Sequence, residues 1–350
     1  MRKTIRTVLS LAVVAALFFG LQRLVEPKYV DGIVEGGFTA EYYREALPHQ
    51  VLLVGDCELY ENFSPVAMWE RYGITSYIRG SAQQLAWQSY YLLEDALRYE
   101  TPKVVVFNVL SLIYNEPQHE EYNRMTLDGM RWSKSKWAAI RASMTGEEHM
   151  LDYLFPLFRY HSRITELTES DFTYYFKDKT RTTAGYYMRV DVAPYEEGIW
   201  EEEEPDDFAF GENALGYLDR IRALCDEKGI RLLLVKAPSM SPLWYDEWEE
   251  QVVDYANAHG LDYINFLELI DEIGIDYDTD TYDEGLHMNL SGAEKCADYL
   301  GGWLAGHYGL DDLRDDEQVC AQWEEKVRFY EDMKRAQYEE LERFGEIVSY

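Results

Sequence analysis

The chain reads as an α/β protein built on a doubly wound, five-stranded parallel sheet with helices on both faces. Three observations predict this. Runs such as Val104-Val105-Val106-Phe107 are continuously apolar, which is the pattern of strands buried on both faces of a parallel sheet. Five such runs are separated by helix-like patterns, as parallel crossovers require. At 350 residues, 47% hydrophobic and 15% aromatic, the chain can also bury a large core, which excludes a disordered polymer.

The elements follow in order. Strand one is predicted at about 50–54 and ends in Gly55-Asp56-Cys57. A short β-rich run, Thr75 to Ile78, reaches Arg79-Gly80-Ser81, and Leu85, Leu92, Leu93 and Leu97 then space a helix running to Tyr99. Strand three is Lys103 to Asn108. From about 115 to 210 the alternation lapses into an aromatic-rich segment, read as a mainly helical insertion. Winding resumes with a helix from Gly211 to Glu227 stopped by Gly229, a strand at Ile230–Ala237, a helix at 244–259 and a strand at Leu261–Asn265. A helix at about Ser291–His307 takes Ser291 as its N-cap, and residues 318–346 form an amphipathic C-terminal helix.

The divisions expected are therefore an anchor at 1–25, a linker and docking segment at 26–49, an α/β domain at 50–310 holding the insertion at 115–210, and the C-terminal helix within 311–350. Arg2, Lys3 and Arg6 precede a run from Val8 to Leu21 in which only Ser10 is neither apolar nor glycine. Charge on the amino side predicts that the remainder lies outside the cytoplasm. No clean Ala-x-Ala follows, which favours an uncleaved anchor at the cell membrane over a cleaved signal.

The net charge of −32 is concentrated at one end: residues 191–350 carry 12 basic and 42 acidic side chains, whereas 115–190 carry 11 of each. Such a field excludes nucleic acid as a partner and repels anionic polymers. The acidic runs Glu201–Glu204 and Asp311–Glu317 read as solvated loop and helix start. Cys57, Cys225, Cys296 and Cys320 could supply one or two disulfides in an exported protein, and a bridged Cys57 would end any catalytic reading.

Acyl transfer needs a nucleophile, a base, a group that orients the base, and oxyanion donors. Cys57 follows the turn after strand one, at the carboxyl edge of the sheet where open α/β folds build their sites. His287 lies 230 residues later, in Asp283-Glu284-Gly285-Leu286-His287-Met288-Asn289. This order of blocks resembles the SGNH/GDSL hydrolases, in which Gly-Asp-Ser follows the first strand and Asp-x-x-His precedes the last helix. Here Cys57 stands in the place of the serine. The resemblance covers about 50–115 and 210–307 and implies a flavodoxin-like sheet.

It further implies a triad of Cys57, His287 and an acid. Glu284 has the family spacing and Asp283 the family residue type, with a bulge at Gly285 favouring Asp283. Oxyanion donors are implied at Gly80 and Asn108. Gln83, Gln84 and Trp87 would line the mouth, where amides and an aromatic face suit a sugar. The pattern looks closest to membrane-anchored extracytoplasmic members such as the DltD and alginate-acetylation proteins, which work beside membrane-bound O-acyltransferases. That implies an acyl esterase or O-acyltransferase acting on a cell-envelope glycan or polymer, without cofactor or metal. The alternative is a non-catalytic glycan-binding or assembly protein of the same fold partnering such an acyltransferase, favoured if His287 lies more than about 5 Å from the Cys57 sulfur. Asp276-x-Asp278-x-Asp280 begins like a calcium loop, but Thr281 and His287 stand where Gly and Glu are required. Lys236 and Ser239 could pair, in an order unlike Ser-x-x-Lys.

Overall fold

The computed structural model describes residues 2–28, 38–45, 48–176, 182–200 and 204–348. Parts of the expected linker (29–37, 46 and 47) and of the acidic run (Glu201 to Glu203) lie outside the described residues. Five parallel strands, β1 (Val51–Gly55), β2 (Ser76–Gly80), β3 (Val104–Asn108), β4 (Arg231–Lys236) and β5 (Asp262–Asn265), form one sheet in the order β2-β1-β3-β4-β5. β1 pairs in register with β2 through Val51↔Ser76 and with β3 through Val51↔Val104. The five residues of each of the first three strands are all buried, as continuous apolar runs demand.

The helices are α1 (Arg2–Val25), α2 (Cys57–Asn62), α3 (Pro65–Tyr72), α4 (Ala86–Ala96), α5 (Glu120–Leu127), α6 (Lys134–Ser143), α7 (Met150–Leu154), α8 (Pro156–Tyr160), α9 (Glu169–Thr173), α10 (Glu212–Lys228), α11 (Asp246–His259), α12 (Ile270–Ile273), α13 (Leu290–Tyr308) and α14 (Glu317–Phe344). The chain winds from β1 to β2 in one direction and from β2 back past β1 to β3 in the other. With right-handed crossovers, this puts α3 and α4 on opposite faces. α13 and α14 pack on α3, and α10 packs on α4.

Glycine stops at two helix ends are physical. Gly229 adopts φ +68 after α10 and Gly260 φ +64 after α11, the left-handed conformation that ends a helix without a Cβ penalty. The start of α13 differs from expectation: Asn289, not Ser291, is the cap, its Oδ1 accepting from the amides of Ser291 and Gly292 at 3.0 and 3.3 Å. The helix simply begins one residue before Ser291.

β2 is an edge strand, and its outer side is covered by the segment after 181. Ile78 N donates to Ala184 O at 2.9 Å, and a Cβ at Gly185 would lie 2.2 Å from Ile78 O. Covering the edge in this way removes a row of unpaired amides.

α1 is long and apolar enough to cross a membrane, and 11% of its apolar window is buried. Its last turns pack against α8 and α9 of the insertion. The insertion itself is a series of short helices followed, from residue 182 to 210, by largely irregular chain among the described residues. All four cysteines are free.

Candidate active site

The order β2-β1-β3-β4-β5 reverses direction between β1 and β3, and the crevice at the carboxyl ends of those two strands is where open α/β sheets bind ligands. Cys57 is there, as the first residue of α2. Asp56 is the N-cap and accepts from Glu58 N at 3.2 Å. Gly55 is forced by packing, since a Cβ there would meet Asn108 Cβ at 2.8 Å and Leu59 Cδ1 at 2.9 Å. The turn that presents the thiol is thus pressed against the end of β3.

One face of α2 then assembles the rest. Residues one turn apart on a helix share a face, so Cys57 and Glu61 both point at the loop carrying His287. The Cys57 sulfur, a Glu61 carboxylate oxygen and a His287 ring nitrogen all lie within 4.8 Å of one another. Asn62 holds that loop directly: its Oδ1 accepts from Met288 N at 2.7 Å, while its Nδ2 donates to Ser239 Oγ at 3.0 Å.

His287 is oriented by Asp283. Nδ1 lies 2.6 Å from Asp283 Oδ2, and the backbone N of His287 donates to Asp283 Oδ1 at 2.7 Å. With Nδ1 so engaged, Nε2 is left as the ring nitrogen free to serve the thiol, whose sulfur lies within 4.8 Å of the ring. Glu284 does not take this part. It adopts φ +63, and its backbone oxygen accepts from Trp200 Nε1 at 2.9 Å. Gly285, at φ +91, completes the bulge, and Thr281 Oγ1 ties the loop by accepting from Gly285 N and donating to His287 O, each at 2.8 Å.

The electrostatics of the pair are set by burial and by carboxylates. Burial, followed by the charges of Asp56 and Glu61, holds the half-buried Cys57 thiol above its ordinary pKa, even though His287 pulls it down. Burial opposes an imidazolium at His287, but Glu61, Cys57 and Asp283 outweigh it and hold its pKa well above the usual value. Glu61 lies 3.7 Å from Nδ1 and accepts a hydrogen bond from Tyr282 Oη. Burial raises the Glu61 carboxyl as well. Tyr114 and Tyr122, close enough to feel a charge on the Cys57 sulfur, are half-buried beside it.

Beneath the turn lies a buried polar network. Asn108 Nδ2 donates to Asp56 Oδ1 at 2.9 Å and to Glu58 Oε2 at 2.8 Å, and Lys236 Nζ donates to Glu58 Oε1 at 2.8 Å. Two carboxylates therefore share one ammonium and one amide. Burial and the charge of Glu58 push the Asp56 carboxyl up to about 7.

The expected oxyanion donors are placed differently from one another. Gly80 lies against the turn, where a Cβ would sit 3.3 Å from Asp56 O. The side-chain amide of Asn108 is instead spent on Asp56 and Glu58. Of the expected mouth residues, Gln83 is partly exposed at φ +45, whereas Gln84 and Trp87 are fully buried. Gln84 Nε2 donates to Arg79 O and to Ser89 Oγ, both at 3.0 Å, and Trp87 Nε1 donates to Ser143 Oγ at 3.1 Å. Their polar atoms are satisfied inside the protein, so neither faces a ligand. The Lys236 and Ser239 pair likewise dissolves, each side chain being held by α2. Asp280 is bound by Lys295 and by the amide of Asp276, which leaves it a structural acid.

Cys57, Glu61 and His287 are the described residues that could hold a metal ion. Glu61, however, approaches Nδ1, the nitrogen that Asp283 already occupies, so a metal held through that nitrogen would compete with Asp283. Glu61, Tyr282, Tyr114 and Tyr122 were not singled out by sequence. The four-residue step from Cys57 to Glu61 was the signal for the first of them.

Neither a protein-family model nor a curated protein sequence matches the chain. Among solved structures, a protein assigned to the G-D-S-L lipolytic family from Desulfitobacterium hafniense DCB-2 is similar at 13% identity, covering 72% of this chain and 97% of that one with a TM-score of 0.35.

Proposed function

We propose that the chain is an extracytoplasmic, membrane-tethered acyl esterase or O-acyltransferase that acts on a cell-envelope glycan or polymer through Cys57, His287 and Asp283. The reading is supported by one observation, that Asp283 holds His287 Nδ1 at 2.6 Å with the Cys57 sulfur within 4.8 Å of the ring, at the switch point of the sheet.

His287 Nε2 takes the thiol proton and the sulfur attacks the acyl carbonyl carbon. The tetrahedral oxyanion collapses to a thioester, the bond to the donor oxygen breaks, and the imidazolium returns its proton to that oxygen. Water or an acceptor hydroxyl, deprotonated by His287, then attacks the thioester and restores the thiol. Asp283 keeps the proton on Nδ1 throughout. The backbone amides of Cys57 and Gly80 are the donors proposed for the oxyanion, since Asn108 is engaged below. A membrane-bound O-acyltransferase is the partner such a reaction implies.

A second reading, a glycan-binding or assembly protein, draws on the burial and neighbouring carboxylates that raise the Cys57 thiol and so disfavour its giving up a proton to the imidazole. Covalent labelling by a thiol-directed acyl donor, followed between pH 7 and 9, separates the two. The Cys57→Ala variant is expected to lose the label and Cys225→Ala to keep it. Labelling that survives Cys57→Ala removes the nucleophile, and wild-type protein that never labels favours binding.

A further inference from the structure

α1 is long enough to cross a membrane, but its unbroken apolar run is shorter than the helix. The Val8–Leu21 run, at about 1.5 Å per residue, covers only ~21 Å of a hydrocarbon core of about 30 Å. Counted from Arg6, a span of ~20 residues ends at Glu26. The last two turns of α1, Phe18 to Val25, therefore fall within the leaflet on the side of the α/β domain.

Those turns are the ones the insertion packs against. The rings of Phe18 and Phe155 have centroids 6.0 Å apart, Arg163 Nη1 donates to Val25 O at 2.6 Å, and Val25 is wholly buried. A cleft of about 740 Å³ opens at this junction, lined by Phe19, Trp132 and Leu154 together with charged side chains such as Arg23, Asp128 and Lys136. Around it, side chains that water disfavours stand outward: Phe158 is 55% exposed, Phe172 55% and Phe176 88%. Leu151 and Ile164 are exposed beside them. So many large apolar side chains left outward on one segment need an occupant. Here the elements that carry these side chains pack on a helix read as membrane-spanning, and the 115–190 segment they belong to balances its charges while the C-terminal half is strongly acidic.

We infer that the short helical elements between Met150 and Phe176 form an amphipathic collar that sinks its aromatic and aliphatic side chains into the outer leaflet around the end of α1. The bilayer itself is the occupant, and the collar adds apolar contact with the leaflet around the end of α1. Arg159 and Arg163 lie behind the apolar tips, at headgroup level.

The collar is tied to α5, where Glu120 takes Arg159 at 3.0 Å and Asp128 accepts from Tyr160 Oη at 2.6 Å. The collar rests on the membrane reading of α1 and is independent of the thiol chemistry.

The test uses the full chain in vesicles of phosphatidylcholine with phosphatidylglycerol. Nitroxides are placed one at a time through Phe158→Cys, Phe172→Cys, Val14→Cys in α1 and Val253→Cys in α11, in a Cys57→Ser, Cys320→Ser background. Collision with oxygen, which partitions into lipid, is compared with collision with a water-soluble nickel chelate. The labels at 158 and 172 are expected to favour oxygen several-fold over the label at 253, at a depth shallower than the label at 14. Equal nickel access at 158, 172 and 253 overturns the collar. Shielding from both reagents overturns it too, because protein then covers the patch. A label at 14 open to nickel removes the anchor and the collar together, while the labelling of Cys57 by an acyl donor is judged separately.

Discussion

Replacing Glu61 by glutamine isolates the charge that raises the proton affinity of the Cys57–His287 pair. The carboxylate lies 3.7 Å from His287 Nδ1, and both side chains are largely shielded from water. At an effective dielectric of about 20, that separation corresponds to about 4 kcal/mol, or roughly three pH units on the imidazole. The net movement is smaller, about one to two pH units, because burial already lifts the Glu61 carboxyl and Asp283 stays in place. The sign does not depend on which group gives up the proton. Loss of a proton from either the thiol or the imidazolium makes the pair more negative, and removing a neighbouring negative charge favours it at lower pH. Glutamine keeps an oxygen for Tyr282, so the loop geometry is retained. The assay is the rate of Cys57 alkylation by iodoacetamide against pH, in a Cys320→Ser background; Cys225 and Cys296 are buried. The midpoint is expected to fall in Glu61→Gln. A midpoint that stays in place or rises would refute the assignment of Glu61 as the controlling charge.

Asp283→Asn should lower acyl turnover by roughly 10²-fold or more, because an amide at Nδ1 no longer fixes the tautomer that presents a basic Nε2; Glu284→Gln should stay near the wild-type rate, and the reverse ranking would reassign the acid. Trp87→Ala should cost about 3–5 kcal/mol in denaturant unfolding, by emptying a fully buried site, while the KM of the folded fraction is unchanged. A raised KM would return Trp87 to the mouth.

The strands were legible because parallel strands buried on both faces must be apolar throughout, and β1, β3 and β4 obey this closely. β2 was harder to read, since Arg79 interrupts it. That guanidinium is buried, stacked 4.0 Å over the ring of Tyr42, a partner remote in sequence. Cys57, His287 and Asp283 were visible as types of residue at strand and loop ends. Glu61 was not, because its role exists only once α2 brings it to the face of Cys57. Gln84 and Trp87 illustrate the converse: polar and aromatic groups just after a strand can serve a ligand or the interior, and only Ser89 and Ser143, their buried partners, decide between them. Asn108 had the right position for oxyanion binding, but two acids beside the thiol claimed its amide.

Those two acids make the four buried residues Asp56, Glu58, Asn108 and Lys236 a single unit of inheritance. Any one of them changed alone leaves a charge or an amide stranded in the interior, so natural divergence at these positions has to proceed in concert. The floor of the crevice is accordingly the part least free to drift, and change is channelled into the rim that carries His287 and into the insertion.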